Sequence, residues 1–449
     1  MTKDMTTGSP VRLIISFSIP LLIGNIFQQF YSMVDTIIVG RYVGPDALAA
    51  VGATGSLSFL VLGFVMGLTG GLAVLIAQRF GAGDMDGMRH ATAMAILLCA
   101  GITVVLTVLS ALFTRPLLAL MQTPENIFED SYRYIIIIFL GVAAPMFYNM
   151  ISSVLRALGD SKTPLYFLIV SSVLNVVLDF IFILNFSMGV AGAAVATVLS
   201  QGVSGLLCLL YMVKRYKILA FHKQDWRMDA PLCANHLKIS LPMAFQFSIT
   251  AIGGIVLQGA INSFGSSVVA AYTAACKVEQ LANQPLVTFG ATMATYSAQN
   301  LGAGNIDRIR TGVNRCVVIS MIFSAASALL ILFFGGAFVQ LFLSGDQPVI
   351  MQYARQYLNT IAGFVFVLGL LFIYRNVLQG IGYGFVPMMA GACELVARVL
   401  VALLLARYIG YTAICLAGPL AWIAAAIPLA ASYFYHMRIL RARARQNAL

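Results

Sequence analysis

Runs of roughly 20 apolar residues recur along the whole chain, separated by short polar breaks, and each is long enough to cross a bilayer as a helix. Twelve are predicted, at about 14–39, 47–76, 90–113, 132–155, 164–185, 189–213, 238–263, 267–298, 311–341, 353–379, 386–406 and 410–436. No alternating pattern marks a β-barrel, and backbone in lipid must satisfy its own hydrogen bonds. The expected fold class is therefore all-α, a polytopic membrane protein of twelve transmembrane helices. Pro116, Pro164, Pro231 and Pro348 fall in connections or first turns, where proline is tolerated. Pro20, Pro145, Pro242, Pro285, Pro419 and Pro428 fall inside spans and are expected to kink them. Gly63 and Gly67 form a G-x-x-x-G that reads as close packing inside the molecule rather than a dimer seam, and a monomer is expected.

The polar positions inside these runs carry the chemistry. Asn25, Gln28, Ser32 and Asp35 are spaced three and four apart, one stripe down the first helix. A carboxylate there costs about 2.5–3.5 kcal/mol on insertion scales. It is either a tolerated helix–helix contact or a group that loads and unloads a cation. Asp179, Glu279 and Glu394 are the other carboxylates within spans. Glu394 and Arg398, four apart, are expected to pair. Glu279 lies two residues from Lys277, so they do not share a face, and Glu279 belongs either to a second site or to a structural network. Asn175 and Asp179 are one turn apart in the fifth span. By topology Asp35, Asp179, Thr197 and Tyr134 share the outer half of the first bundle. Two buried carboxylates close together cannot both ionise cheaply, so one is expected to hold a proton or share a cation. The Asn175 amide and Thr197 hydroxyl could instead complete an oxygen-lined Na⁺ site with Asp35 and Asp179, so H⁺ and Na⁺ both stay open.

Composition agrees with the pattern: of 449 residues 60% are hydrophobic and only 10% charged, unlike a soluble domain of this size. The first twelve residues lack the features of a cleaved signal peptide, so the first helix is expected to remain. A net charge of +11 could suggest nucleic acid, but its distribution argues otherwise. The bases gather in alternate connections: Lys214, Arg215, Lys217, Lys223, Arg227 and Lys238; Arg308, Arg310 and Arg315; and Arg438, Arg441, Arg443 and Arg445. An opposite loop is acidic, with Glu125, Glu129 and Asp130. A multi-pass protein of the cell membrane with both termini cytoplasmic is expected, with the lipid bilayer and not nucleic acid as its surroundings. Seven cysteines without a C-x-x-C, six of them in apolar segments, make a disulfide framework unexpected. The four histidines are read as lying in or beside polar loops without metal-ligand spacing, so no metal centre or organic cofactor is expected. GAGDMDG at Gly81–Gly87 is neither a dinucleotide fingerprint nor a P-loop and reads as a helix stop. No enzyme constellation or ATPase domain emerges, so any active transport draws on an ion gradient or the membrane potential.

The chain repeats itself. AQRFGAGDMDGMR (Ala77 to Arg89) returns as AQNLGAGNIDRIR (Ala298 to Arg310), an offset of 221. SIP at Ser18–Pro20 returns as SLP at Ser240–Pro242, and Leu158, Gly159 and Pro164 find Ile381, Gly382 and Pro387. Two homologous six-helix halves follow, sharing an orientation and related by a pseudo-twofold along the membrane normal. The expected layout is an N-terminal lobe at 1–213, a basic cytoplasmic linker at 214–237, a C-terminal lobe at 238–436 and a basic tail at 437–449. Such halves could rock about a site between them, the geometry of alternating access. By these offsets Asp35 maps to Val256 or Leu257 and Asp179 to Ala402, an asymmetry that shared packing would not produce.

Together these residues resemble the MATE (multidrug and toxic compound extrusion) family. The resemblance rests on the six-plus-six spans, VDTIIVGRYVG, the paired AQxxGAG loops and LRALGDSKTP, and covers essentially the whole chain. Asp35 with Asn175 and Asp179 is similar to the DinF-like branch, where such residues form the first-lobe coupling site, and Tyr134 and Thr197 resemble that branch's polar partners. The resemblance implies export of lipophilic, often cationic, small molecules in exchange for H⁺ or Na⁺, with H⁺ favoured. The NorM-like branch places acids on helices seven and ten. Here span seven offers Gln246, Gln258 and Asn262 as cleft residues beside Gln28 and Ser32, and span ten has no acid, which leaves Glu279 on span eight as the second-lobe candidate. The alternatives are a lipid-linked oligosaccharide flippase, against which the few intramembrane bases, Lys277 and Arg398, argue, and a channel or non-transporting receptor.

Overall fold

The computed structural model describes residues 4–340 and 347–446. The first three residues of the expected N-terminal lobe, the last residue of the expected ninth span and the last three of the tail lie outside them. The described chain is helical, in two compact units, one built from Ile19–Ser248 and the other from Met5–Ser18 with residues from Ile249 onward.

The first unit holds α1 (Pro10–Tyr42) from Ile19 on, α2 (Pro45–Ala53), α3 (Gly55–Gly81), α4 (Met85–Leu120), α5 (Glu125–Leu140), α6 (Ala143–Ala157), α7 (Lys162–Phe180), α8 (Val190–Arg215) and α9 (Ala230–Asn262) as far as Ser248. Helix α3 stops where Gly83 takes a left-handed φ of 72°, closed by the Asp84 amide on the Arg79 carbonyl at 3.1 Å. The G-x-x-x-G packs within this unit. A Cβ on Gly67 would lie 2.5 Å from the Met243 carbonyl oxygen, and one on Gly71 only 2.4 Å from Ser240 Cα, so α3 and α9 touch through bare backbone. Before α7, buried Asp160 accepts the Lys162 and Thr163 amides at 2.9 and 3.1 Å, the Thr163 hydroxyl at 2.5 Å and the Tyr216 hydroxyl. Burial pushes the Asp160 carboxyl up, but these bonds outweigh it and hold it below the usual carboxylate range.

The expected linker is packed onto this unit rather than slack. Its Lys217–Leu219 and Lys223–Trp226 are tight turns, and buried Asp225 accepts the His222 amide at 2.7 Å and lies 3.7 Å from Arg89 Nε. His236, read from sequence as beside a loop, is fully buried in α9, because the helix begins six residues earlier, at Ala230.

The second unit adds α10 (Ser266–Gly302), α11 (Ile306–Gln340), α12 (Pro348–Ala362), α13 (Val365–Gly380), α14 (Phe385–Leu400), α15 (Ala406–Ile409) and α16 (Tyr411–Gln446) to the first turns of α1. Residues 5–18 belong here for visible reasons. The Met5 amide donates to Gln299 at 2.9 Å, its carbonyl accepts from Asn300 at 3.1 Å, and Ser18 shares a 2.7 Å hydrogen bond with Thr292.

Among the described residues nine helices are long and apolar enough to cross a membrane, and the bent pairs α5–α6 and α12–α13 supply two more crossings. The polar α10, 37 residues long, completes the twelve. The first of these bends falls where Pro145 is expected to kink its span. The α5–α6 bend of 46° falls at Gly141 and Val142, just before Pro145, and its repeat mate bends by 52° at Gly363 and Phe364. Val367 stands there in place of the proline, so glycine marks the bend in both halves. Pro116, expected in a connection, lies inside α4, which runs on to Leu120. Helices α7 and α14 each widen into a π-helical turn, at Ile181–Asn185 and Val401–Leu405.

Candidate functional site

Four helices of the first unit bring an acidic cluster together. Helix α1 supplies Asp35, α7 supplies Asn175 and Asp179 in its last turns, α8 supplies Thr197, and α5 supplies Tyr134. Asp35 is 9% exposed, and Asn175 and Asp179 are fully buried. The two carboxyls lie within hydrogen-bonding reach of each other. The Asn175 amide lies 3.4 Å from the Thr197 hydroxyl. Turned over, it donates to Asp179 Oδ2 at 3.3 Å and accepts the Thr197 amide at 3.2 Å, which satisfies both ends. The nearby wall is apolar, with Ile38, Val39, Ile183, Val190 and Ala193 packed together and Tyr134 against them. The Oδ1 atoms of Asp35 and Asp179 are buried and take no hydrogen bond among the described residues. Chemically this is a dry pair of acids with one oxygen on each free for a proton or a cation.

Sequence reasoning missed Tyr31. It sits one turn before Asp35 on α1, and its hydroxyl lies near Thr197 and both carboxyls. The signal was present in the four-residue spacing, but an aromatic in an apolar run reads first as packing.

The other candidates lie elsewhere. Gln28 and Ser32 are exposed on α1, while Gln246 is buried in the first unit. Gln258 donates to Asn262 at 2.9 Å, both exposed on α9 in the second unit. Glu279, half-buried in the second unit, accepts the Tyr357 hydroxyl at 2.6 Å and the Asn283 amide at 3.3 Å. Glu394 pairs with Arg398 at 2.8 Å as the spacing predicts, and also with Arg375 at 2.9 Å. Arg375 corrects the tally of intramembrane bases: it lies inside the tenth span and is 7% exposed. Arg398 also acts electrostatically on Glu279, so the second unit carries two acids and two bases in alternation. Among the described residues no three His, Cys, Asp or Glu side chains converge to hold a metal ion.

The sequence and the fold have known relatives. The sequence matches the MatE family over residues 20–181 and 242–404. It is 30% identical over 382 residues to the probable multidrug resistance protein YpnP of Bacillus subtilis, covering 84% of each chain. YoeA, another probable multidrug resistance protein of Bacillus subtilis, is 31% identical over 78% of this chain and 77% of its own. A solved outward-facing multidrug resistance transporter of the same family superposes with a TM-score of 0.91 at 25% identity, over 97% of this chain and 98% of its own.

Proposed function

Since the chain belongs to the MatE family of multi-pass membrane transporters, we propose that it is a cation-coupled antiporter that exports lipophilic, often cationic, compounds by alternating access. The observation that carries this reading is the pair of buried carboxyls, Asp35 and Asp179, facing each other in an apolar wall with an oxygen on each unpartnered. The naming of YpnP and YoeA as multidrug resistance proteins supports the substrate class. H⁺ is the favoured coupling ion, because two carboxyls in contact hold a proton without further ligands, whereas a hard cation needs a full oxygen shell. Asn175 orients Asp179, while Tyr31 and Thr197 tie α1 to α8. A proton entering the pair removes a buried charge and lets α1 settle against α7. Its loss leaves two like charges in a dry site and drives the helices apart. The substrate is released in the protonated state and loaded in the other. The reading places both termini in the cytoplasm, in keeping with the basic connections on that side.

The test uses the purified protein in liposomes in sodium-free buffer. An imposed pH gradient should drive uptake of a fluorescent lipophilic cation. Asp35→Asn and Asp179→Asn should fall to the protein-free background while eluting as the folded protein does. Wild-type uptake in a well-folded Asp35→Asn variant would remove that residue from the mechanism. Uptake that requires an imposed Na⁺ gradient would replace the coupling ion.

A further inference from the structure

The strap between α8 and α9 has no part in the coupling step. It runs over residues 216–229 and joins two helices that each cross the membrane, so both of its ends are held at one membrane face. Its shape is fixed. Asp225 is buried against Arg89, and the Asp225 carbonyl lies 2.9 Å from His90 Nδ1. Phe221 packs on Ala93, Met94 and Cys233, and the Trp226 ring leans on Phe221 with centroids 5.4 Å apart.

This pedestal turns Trp226 and Met228 outward, 40% and 71% exposed. Charge is sorted the same way. Lys217, Lys223 and Arg227 are exposed, whereas Asp225 faces Arg89 and Asp229 caps the Leu232 amide at 2.9 Å and lies 3.5 Å from His90 Nε2. Asp225 points in and the bases point out, while Asp229 is half-exposed beside His90. Tryptophan favours the level at which headgroups meet acyl chains, and bases beside it meet anionic headgroups. We propose that residues 216–229 form an interfacial anchor. It seats Trp226 and Met228 in the adjoining leaflet and binds anionic phospholipid through Lys217, Lys223 and Arg227.

The chain has two tryptophans, and Trp422 is buried in α16. Trp422→Phe therefore leaves Trp226 as the sole reporter. The full-length variant is placed in phosphatidylcholine vesicles with or without phosphatidylglycerol, and its quenching by acrylamide and by brominated lipid is read. Bromine near the headgroup should quench Trp226 more than bromine at the chain end, and phosphatidylglycerol should reduce quenching by acrylamide. Lys223→Gln and Arg227→Gln should each weaken the phosphatidylglycerol effect about fivefold. If Trp422→Phe fails to fold, the difference signal between the native chain and Trp226→Phe gives the same readout. Equal acrylamide access in both vesicle types, with no quenching by either brominated lipid, overturns the anchor and leaves the face to a protein partner. Shielding that ignores phosphatidylglycerol overturns headgroup binding. Transport is not measured, so failure here is distinct from failure of the coupling site.

Discussion

Asp160 and Glu394 show what a carboxylate does in this chain when protein groups fill its oxygens. Asp160, outside the spans, is held below the usual carboxylate range by its hydrogen bonds despite its burial. A depressed acid stabilises the fold above its unfolded value of about 3.9, and that stabilisation is lost as pH falls through the lower folded value. Melting wild type and Asp160→Asn side by side should give a gap in Tm that is widest above about pH 4 and narrows on further acidification. A gap independent of pH would assign the effect to the hydrogen bonds alone. Glu394 binds two arginines, so Glu394→Gln strands the buried Arg375 and weakens the hold on the partly buried Arg398, a loss of about 3–5 kcal/mol. The triple change to Met at 375, Leu at 394 and Met at 398 should recover much of the lost Tm. Glu394→Gln melting like wild type would refute that accounting. The Arg398 contact was legible from its four-residue spacing. The Arg375 contact was not, because it comes from another helix, 19 residues away, and no local period encodes it.

At the scale of elements, helix existence was legible and helix detail was not. Periodicity and length located the crossings, since an apolar run of sufficient length has few other fates. The bends, the π-turns and the reach of α4 past Pro116 depend on how neighbours satisfy the backbone, which a single helix's sequence does not record. The α3–α9 contact lies between these cases. The small-residue pattern at Gly63 and Gly67 gave close packing, but neither the partner nor the extension to Gly71 was visible. Gly71→Val drives a side chain into Ser240, and overpacking of this kind costs about 1–3 kcal/mol. A lower Tm is expected in solubilised protein, while Gly70→Ala, whose added Cβ would meet only Met243 Cε at 3.8 Å, should melt as wild type. Equal behaviour of the two variants would show that the helices separate there at little cost.

For the whole molecule, the duplication read from drifting offsets reappears in the family match, whose two segments begin at residues 20 and 242, an offset of 222. The borders of the compact units were not legible. Residues 5–18 follow Gln299, Asn300 and Thr292, and the strap follows Arg89 and His90, through contacts hundreds of positions apart in one case and over a hundred in the other. The acid pair was legible because charge inside an apolar run is conspicuous, whereas Tyr31 was hidden by its own hydrophobicity. The unequal charge of the two halves has a consequence for descent. One half carries two contacting acids, the other a buried Glu394 bridging Arg375 and Arg398, with Glu279 coupled to Arg398. An ancestor with identical halves held a spare of every residue, and this chain does not. Loss of the acid pair cannot be made good from the sister half, whose matching positions are Val256 or Leu257 and Ala402, so the two halves are no longer interchangeable.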